Sequence, residues 1–426
     1  MCGIWASIGI RGAETALAAL VHRGPDAGNI QCFDINRLSV ELGHRRLAIL
    51  DPTPRSDEPI STNDRNYWLT FNGEIYNYIE LRKELERAGF VFKTSGDTEV
   101  LLFALAHWGS DALSRLVGMF AFVLLDRRAG KLLIARDPFG IKPLFYYQRT
   151  GGLAFCTEIP ALLNAVGISR RANPQSVFEF LSVGTTDRGQ ATMVEGIQQF
   201  PPGCFAEIDI GATLQMTPIP YWRPAEANTD IGFDDAADAV QSCLERSVAL
   251  HTRSDVPLGI ALSGGIDSSA ILGLLRKVLG DDQELHAIGF SATGDAADER
   301  SWIEKAAKAN SASVSIVGIE RDRFKQDLPD LIQAQGEPFP TASIYAQYAV
   351  MREAHRQGLK VMLSGQGADE IFAGYRPYLA VRLAEMLGGA EFRKSAHFMG
   401  KIRELPDTSA TRLVFQALSA FCRNPS

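Results

Sequence analysis

Val256-Pro257-Leu258-Gly259-Ile260-Ala261-Leu262 runs directly into Ser263-Gly264-Gly265-Ile266-Asp267-Ser268-Ser269, and a helical pattern continues from Ser268 to Leu279. A short, continuously apolar run reads as a strand buried on both faces. A glycine-rich turn between such a strand and a helix aims backbone N–H groups and hydroxyls at the helix N-terminus. There the orphan donors and the helix dipole favour an anion. The loop is not a Walker A sequence, because no Lys-Ser/Thr follows, and it is not GxGxxG. An ordinary tight turn needs neither two serines after Asp267 nor this setting, so the stretch reads as a nucleotide-phosphate loop.

Around this stretch helices and strands alternate. A helix is expected over Asp235–His251, strands at Leu285–Phe290, Ala312–Ile319 and Lys360–Leu363, and helices at Ala296–Asn310 and Ala342–His355. That alternation predicts an α/β domain with a parallel sheet covered on both faces. A second loop, Ser364-Gly365-Gln366-Gly367-Ala368-Asp369-Glu370, also follows a buried strand. Ligands bind beyond the carboxyl ends of parallel strands, so both loops are expected to face one crevice. Asp267 and Asp369 could share a Mg²⁺ there, a hard cation held by one or two carboxylates with phosphate oxygens. Each aspartate could equally cap a helix.

The first half has a different texture, a mixed α+β one. Short β-like runs lie at Trp68–Phe71, Phe120–Leu125, Leu132–Ala135, Phe145–Tyr147 and Ala206–Ile210. Helices are expected at 78–88, stopped by Gly89, and at 98–108, with Asp97 as the N-cap. Pro218–Phe233, rich in proline and without periodicity, reads as a linker, dividing the chain into 1–217, 218–233 and 234–426.

Bulk properties restrict the function classes. A formal charge of −7 over 426 residues argues against a broad nucleic-acid or anionic-membrane surface, though not against a local basic pocket. The longest apolar runs, such as Met119–Leu125, cannot span a bilayer. No secretory pattern precedes Cys2, and the six cysteines include no CxxC, so a cytoplasmic protein with reduced thiols is expected.

Cys2 directly follows Met1. Once Met1 is removed, the thiol has its own α-amine as a base. Their ordinary pKa values, about 8.5 and about 7.7–8.0, make proton transfer nearly thermoneutral. Four polar motifs share this half: His22-Arg23-Gly24-Pro25-Asp26, Arg45-Arg46-Leu47-Ala48-Ile49-Leu50-Asp51, Phe71-Asn72-Gly73-Glu74-Ile75-Tyr76-Asn77 and Ser95-Gly96-Asp97-Thr98-Glu99. With Cys2 they meet the needs of glutamine hydrolysis: an arginine for the α-carboxylate, a carboxylate for the α-ammonium, and amide donors for the oxyanion. His22 reads as a structural hydrogen-bonder, since the amine already fills the role of base.

These residues carry a family resemblance. The first-half set resembles class II glutamine amidotransferases, which implies an N-terminal-nucleophile (Ntn) hydrolase fold, an αββα sandwich. It implies Cys2 as nucleophile, Asn72 and Gly73 as the oxyanion hole, and Arg46, Asn72, Glu74 and Asp97 as glutamine-binding residues. Asp137–Leu144 resembles the family segment that packs near the path to the second domain. Ser263–Ser269 is similar to the PP-loop of ATP pyrophosphatases, and Gly336–Phe339 with Ser364–Tyr375 resembles the synthetase domain of glutamine-dependent asparagine synthetases. The resemblance implies ATP contacts from Leu262, Ser263, Gly264, Gly265, Asp267, Ser268, Ile288, Ser364 and Gly365, and Mg²⁺ held by Asp267 and Asp369.

The implied activity is an ATP-dependent ligase. Glutamine hydrolysed at Cys2 releases ammonia, which crosses an apolar passage to a site where ATP adenylates a carboxylate, aspartate in these families. Two departures stand out. Gln366 occupies a position where asparagine synthetases commonly have glutamate, keeping hydrogen-bonding shape without charge. No recognisable basic loop with a catalytic lysine follows Tyr375, so the synthetase part is expected to be C-terminally shortened. Two other readings stand beside this one: amidation of a different carboxylate, such as a polysaccharide sugar acid, or a glutaminase-only regulatory protein. A homodimer is entertained without a sequence feature that decides it.

Overall fold

The computed structural model describes residues 1–426 apart from 187–188, 212–213, 227–230, 292–297, 390, 403–413, 416 and 418–426. The first half is built on two six-stranded antiparallel sheets. One orders Ile197–Gln199, Phe145–Arg149, Gly152–Cys156, Gly3–Ile8, Leu38–Arg46 and Ala27–Ile35. The other orders Ile219–Pro220, Cys204–Asp209, Lys131–Arg136, Gly118–Asp126, Tyr67–Ile75 and Ile60–Ser61.

Side-chain alternation explains the layers. In Gly3–Ile8, Ile4, Ala6 and Ile8 face the second sheet and meet Ala121, Val123, Leu132 and Ile134. Trp5 faces the other way, into a cluster with Leu17 and Leu162 from the helices Ala13–Ala19 and Ile159–Val166. On the second sheet, Phe71, Phe120 and Phe122 pack outward with Leu81 and Leu101 from helices Tyr78–Arg87 and Asp97–Trp108. Both sheets are therefore apolar on both faces, which gives an αββα sandwich.

Asp97 is not the N-cap expected from sequence. Gly96 takes that place without a side-chain cap, and Asp97 is the first helical residue. Its carboxylate is drawn away by Ile75 N–H, whose hydrogen bond measures 2.8 Å. Gly89 does follow the preceding helix in the left-handed region, with φ +94. Part of the expected linker belongs to the first half. Ile219–Pro220 pairs with Cys204-Phe205, and Tyr221 Oη donates to Arg136 O at 2.9 Å, so this packing passes the boundary expected at 217.

The second half holds a parallel sheet in the order Ser313–Gly318, His286–Ser291, Leu258–Ala261, Val361–Leu363. Its core gathers Ile260, Leu262, Leu272, Leu275, Ala287 and Ile303. The strand Leu258–Ala261 has the neighbour that follows it in sequence on one side and Val361–Leu363 on the other. Chain order reverses at this strand, the switch point where α/β sheets open a crevice. Among the described residues, five cysteines are unpaired, and no helix is long and apolar enough to cross a membrane. Cys422 lies outside the described residues.

Candidate active site

The first site is built on one edge of Tyr67–Ile75. Gly73 stands opposite Phe120, but Phe120 N–H donates to Asp137 Oδ2 at 3.2 Å, and Phe120 O accepts from Asp137 N–H at 2.7 Å. Directly opposed antiparallel residues exchange both hydrogen bonds or neither, so Phe71, Gly73 and Ile75 all turn their N–H groups away from that neighbour. Phe71 N–H donates to Glu58 Oε2 at 2.7 Å. Ile75 N–H donates to Asp97 Oδ2 at 2.8 Å. Between them, Gly73 N–H has no acceptor among the described residues. A Cβ on Gly73 would lie 2.3 Å from Met119 O, so only glycine fits.

Asn72 completes the donor pair. Its side chain is fully buried, and among the described residues neither Nδ2 nor Oδ1 has a partner. A buried amide with nothing to bond costs roughly 1–3 kcal/mol per group, a cost a folded protein keeps where a ligand relieves it. Cys2 lies against the loop that follows Leu38–Arg46: Leu47 N–H donates to Sγ at 3.4 Å, and Sγ–H points to Leu47 O at 3.8 Å. Arg23 Nε donates to Cys2 O at 3.0 Å, while its NH2 is buried without a partner.

Electrostatics favour a neutral amine and an incoming cation. Burial pulls the terminal α-amine, here on Met1, down to about 5; Cys2 opposes this, and Arg23 and Lys142 add to it. Burial also raises the carboxyls of both Glu74 and Asp97, and Asp97 pushes Glu74 further up. Arg46 is more committed than the sequence suggests. NH1 donates to Thr53 O at 2.8 Å and Asp57 Oδ1 at 2.9 Å, and NH2 to Leu50 O at 3.2 Å and Asp51 O at 2.6 Å. Only Nε–H remains for a ligand unless those contacts exchange.

The second site lies at the switch point. Gly264 has φ +80, and a Cβ there would meet Ile303 N and Trp302 Cβ at 2.8 Å. Ser263 Oγ and Ser268 Oγ lie 3.0 Å apart, and Gly265 N–H reaches Ser263 Oγ at 3.3 Å. The helix Ile266–Leu279 starts after Gly265 without a side-chain cap. A Cβ on Gly365 would lie 3.1 Å from Asp267 Cβ, so the loop starting at Ser364 packs against the loop starting at Ser263. The two loops are therefore neighbours at the ends of adjacent parallel strands. Neither aspartate caps a helix: the caps are Gly265 and Gly367. Gln366 and Asp369 are exposed. Leu262 and Ile288 are buried in the core, main chain included, so neither presents a surface to a nucleotide in this structure.

Residues 1–222 match the family described as glutamine amidotransferase domain, and residues 239–423 match asparagine synthase. The chain belongs to the glutamine-hydrolysing asparagine synthetase family. Asparagine synthetase (glutamine-hydrolyzing) 1 of Bacillus subtilis is 35% identical over 84% of this chain and 55% of its own length. A Mycobacterium tuberculosis protein that carries the same description provisionally is 37% identical over 89% of this chain and 61% of its own. The amidase chry2 of Gibberella zeae is 29% identical over 87% of this chain and 56% of its own. The chain therefore spans just over half the length of these relatives.

Several residues around the first site carry no signal that sequence reasoning could weigh. Leu47 acts through its amide, so its side chain reveals nothing. Glu58 and His44 form a buried pair at 3.6 Å behind Phe71; a lone glutamate before proline signals only a turn. Lys142 is almost fully buried, and burial pulls its pKa down while Glu74 and Cys2 oppose this. His22 hydrogen-bonds Glu158 Oε1 at 2.9 Å, a structural contact.

Proposed function

We propose that this chain hydrolyses glutamine at Cys2 and passes ammonia to an ATP-dependent, amide-forming site in its second half. The observation that carries the reading is the pair of unpartnered donors at Asn72 and Gly73, followed on the same strand by Glu74, whose carboxyl feels the charge of Cys2. With Met1 removed, the Cys2 amine takes the thiol proton. The sulfur attacks the side-chain amide carbon of glutamine. The oxyanion accepts from Asn72 Nδ2 and Gly73 N–H, and collapse expels ammonia and leaves a thioester that water cleaves to glutamate. Glu74 and Asp97 hold the substrate α-ammonium, and Arg46 serves the α-carboxylate.

In the second half, the loops at 263–269 and 364–367 cradle ATP phosphates against the helix N-terminus. Asp267 and Asp369 suit Mg²⁺: both are carboxylates not used as helix caps. When bound, the ion supplies charge neutralisation on the phosphates. Gln366 faces the acceptor carboxylate, and aspartate is the acceptor we favour. Unpaired cysteines support the reducing cytoplasm as the setting.

The test is a screen of carboxylic acids for AMP and pyrophosphate release with ATP, Mg²⁺ and either glutamine or ammonium. Aspartate-dependent release is expected. Release with another acid alone moves the assignment to that acceptor, and no release with any acid removes the ligase reading. In the same assay Cys2→Ala abolishes glutamine-dependent turnover, a loss of at least about 10⁴-fold by analogy with nucleophile removal elsewhere. It spares turnover on ammonium; glutamate release by this variant counts against Cys2.

A further inference from the structure

The loop 47–51 is gripped from both halves of the molecule. From the first half, Leu47 N–H meets Cys2 Sγ, Ala48 N–H donates to Asp26 Oδ2 at 2.8 Å, and Arg46 holds Leu50 O and Asp51 O. From the second half, Lys360 Nζ donates to the same Asp26 Oδ2 at 2.8 Å and to Ala48 O at 3.5 Å. Asp255 N–H donates to Ile49 O at 3.3 Å, and Asp255 Oδ2 accepts from Asp51 N–H at 2.8 Å. Burial works to raise the Asp26 carboxyl, but the hydrogen bonds from Lys360 and Ala48 hold it below its ordinary value.

The placement of the two second-half residues has structural logic. Lys360 immediately precedes the strand Val361–Leu363, and Asp255 lies shortly before Leu258–Ala261. Those strands are parallel neighbours, with Leu258 beside Val361. Their starts therefore reach one loop at adjacent points, while their far ends carry Ser263 and Ser364. Lys360 acts next to the amide that touches the sulfur. Asp255 acts on the Leu50–Asp51 peptide group, whose carbonyl anchors Arg46, and on the Ile49 carbonyl before it.

We propose that Lys360 and Asp255 are positioning residues for glutamine hydrolysis, so that docking of the nucleotide half completes the glutamine site. The inference rests on the glutaminase reading above. The two residues have separable effects. Lys360 sets the alignment of Leu47 against the nucleophile, and Asp255 sets the Arg46 grip on substrate.

The experiment measures glutamate release by the full chain without ATP, for wild type, Lys360→Met, Lys360→Arg, Asp255→Ala and Asp255→Asn. Lys360→Met lowers kcat about tenfold with the glutamine KM held, the size expected for one lost charge-assisted hydrogen bond. Asp255→Ala raises KM by a similar factor with kcat held, and Lys360→Arg restores most of the lost kcat. Unaltered kcat and KM in both series overturn the inference, and so does an equal loss of both parameters in folded variants. If Lys360→Met or Asp255→Ala does not fold, the Lys360→Arg and Asp255→Asn pair carries the same opposite split at smaller amplitude. Its absence is equally decisive. A wild type that releases no glutamate overturns the glutaminase reading itself; an active wild type matched by every variant overturns only the positioning roles.

Discussion

The two sites solve opposite problems. Around Cys2 the polar groups are buried and nearly all spoken for: Glu58 holds Phe71 N–H, Asp97 holds Ile75 N–H, and Arg46 spends both terminal nitrogens on carbonyls and Asp57. Among the described residues the unpartnered groups include Asn72 and Gly73 N–H, where the proposed chemistry develops negative charge, as well as Arg23 NH2 and His44 Nδ1. At the two glycine-rich loops Ser263, Gln366 and Asp369 are exposed, and Ser263 shares a hydrogen bond with the buried Ser268. Acyl chemistry gains from donors fixed in advance at the developing oxyanion. A loop that receives a highly charged, strongly hydrated phosphate chain gains from being open, since the ligand brings the charge that organises it.

The sharpest way to break this contrast is Asn72→Ala. Losing one oxyanion donor lowers kcat for glutamine hydrolysis by about 10²–10³-fold, with little change in KM. Because neither amide atom has a partner to lose, thermal stability should not fall as it would on breaking a satisfied buried hydrogen bond. Kinetics of glutamate release together with thermal unfolding check both halves of this statement. A kcat within a few-fold of wild type would return Asn72 to an ordinary core position.

A smaller effect is expected on the open side. Asp267→Asn keeps the shape and removes the charge that favours a divalent cation. The Mg²⁺ concentration for half-maximal AMP release should rise about tenfold, roughly the 1.4 kcal/mol of one weakened ligand contact. Glutamine hydrolysis in the same variant should be untouched. A Mg²⁺ titration of pyrophosphate release decides it, and an unmoved midpoint removes Asp267 from the metal site.

What the sequence could reveal follows the same division. The loop at 263–269 announces itself because its function depends on residue types, and its flanking strand and helix fell close to their expected places. The hairpin joining Ala27–Ile35 to Leu38–Arg46 left no such mark. Its turn uses Asn36 and Arg37 at φ 51 and 68, and arginine is not a turn residue that sequence reasoning looks for. Gly3–Ile8 escaped because both its faces are buried, which erases alternation. The first site was legible as a set of motifs but not as a geometry. That Asn72, Gly73 and Glu74 lie within a strand, and that Leu47 contributes only an amide, depends on strand pairing between residues far apart in the chain.

The smallest effect belongs to the group behind the oxyanion strand. Glu58 is pushed up to about 8 by burial, with His44 opposing and Cys2 adding, against an ordinary value of 4.5. The folded protein therefore binds this proton more tightly than the unfolded chain. Stability from the protonated form is fully present below 4.5 and is lost as pH rises through about 8. His44, held below its ordinary 6.5 mainly by burial, acts in the other direction: its neutral form stabilises above 6.5, and that contribution fades as pH falls. Unfolding by urea between pH 7 and 9 keeps His44 neutral, and because the terminal amine and Glu74 are also shifted, Glu58 is read from the difference between wild type and Glu58→Gln. Glu58 should contribute a loss of stability across that range with a slope of at most about 1.4 kcal/mol per pH unit for one proton. Glu58→Gln retains an acceptor for Phe71 N–H and removes the proton, so it should lack that contribution. Parallel curves for the two proteins would mean that Glu58 is already ionised at neutral pH, paired with a charged His44, and that the strand edge beneath Gly73 is held by an ion pair.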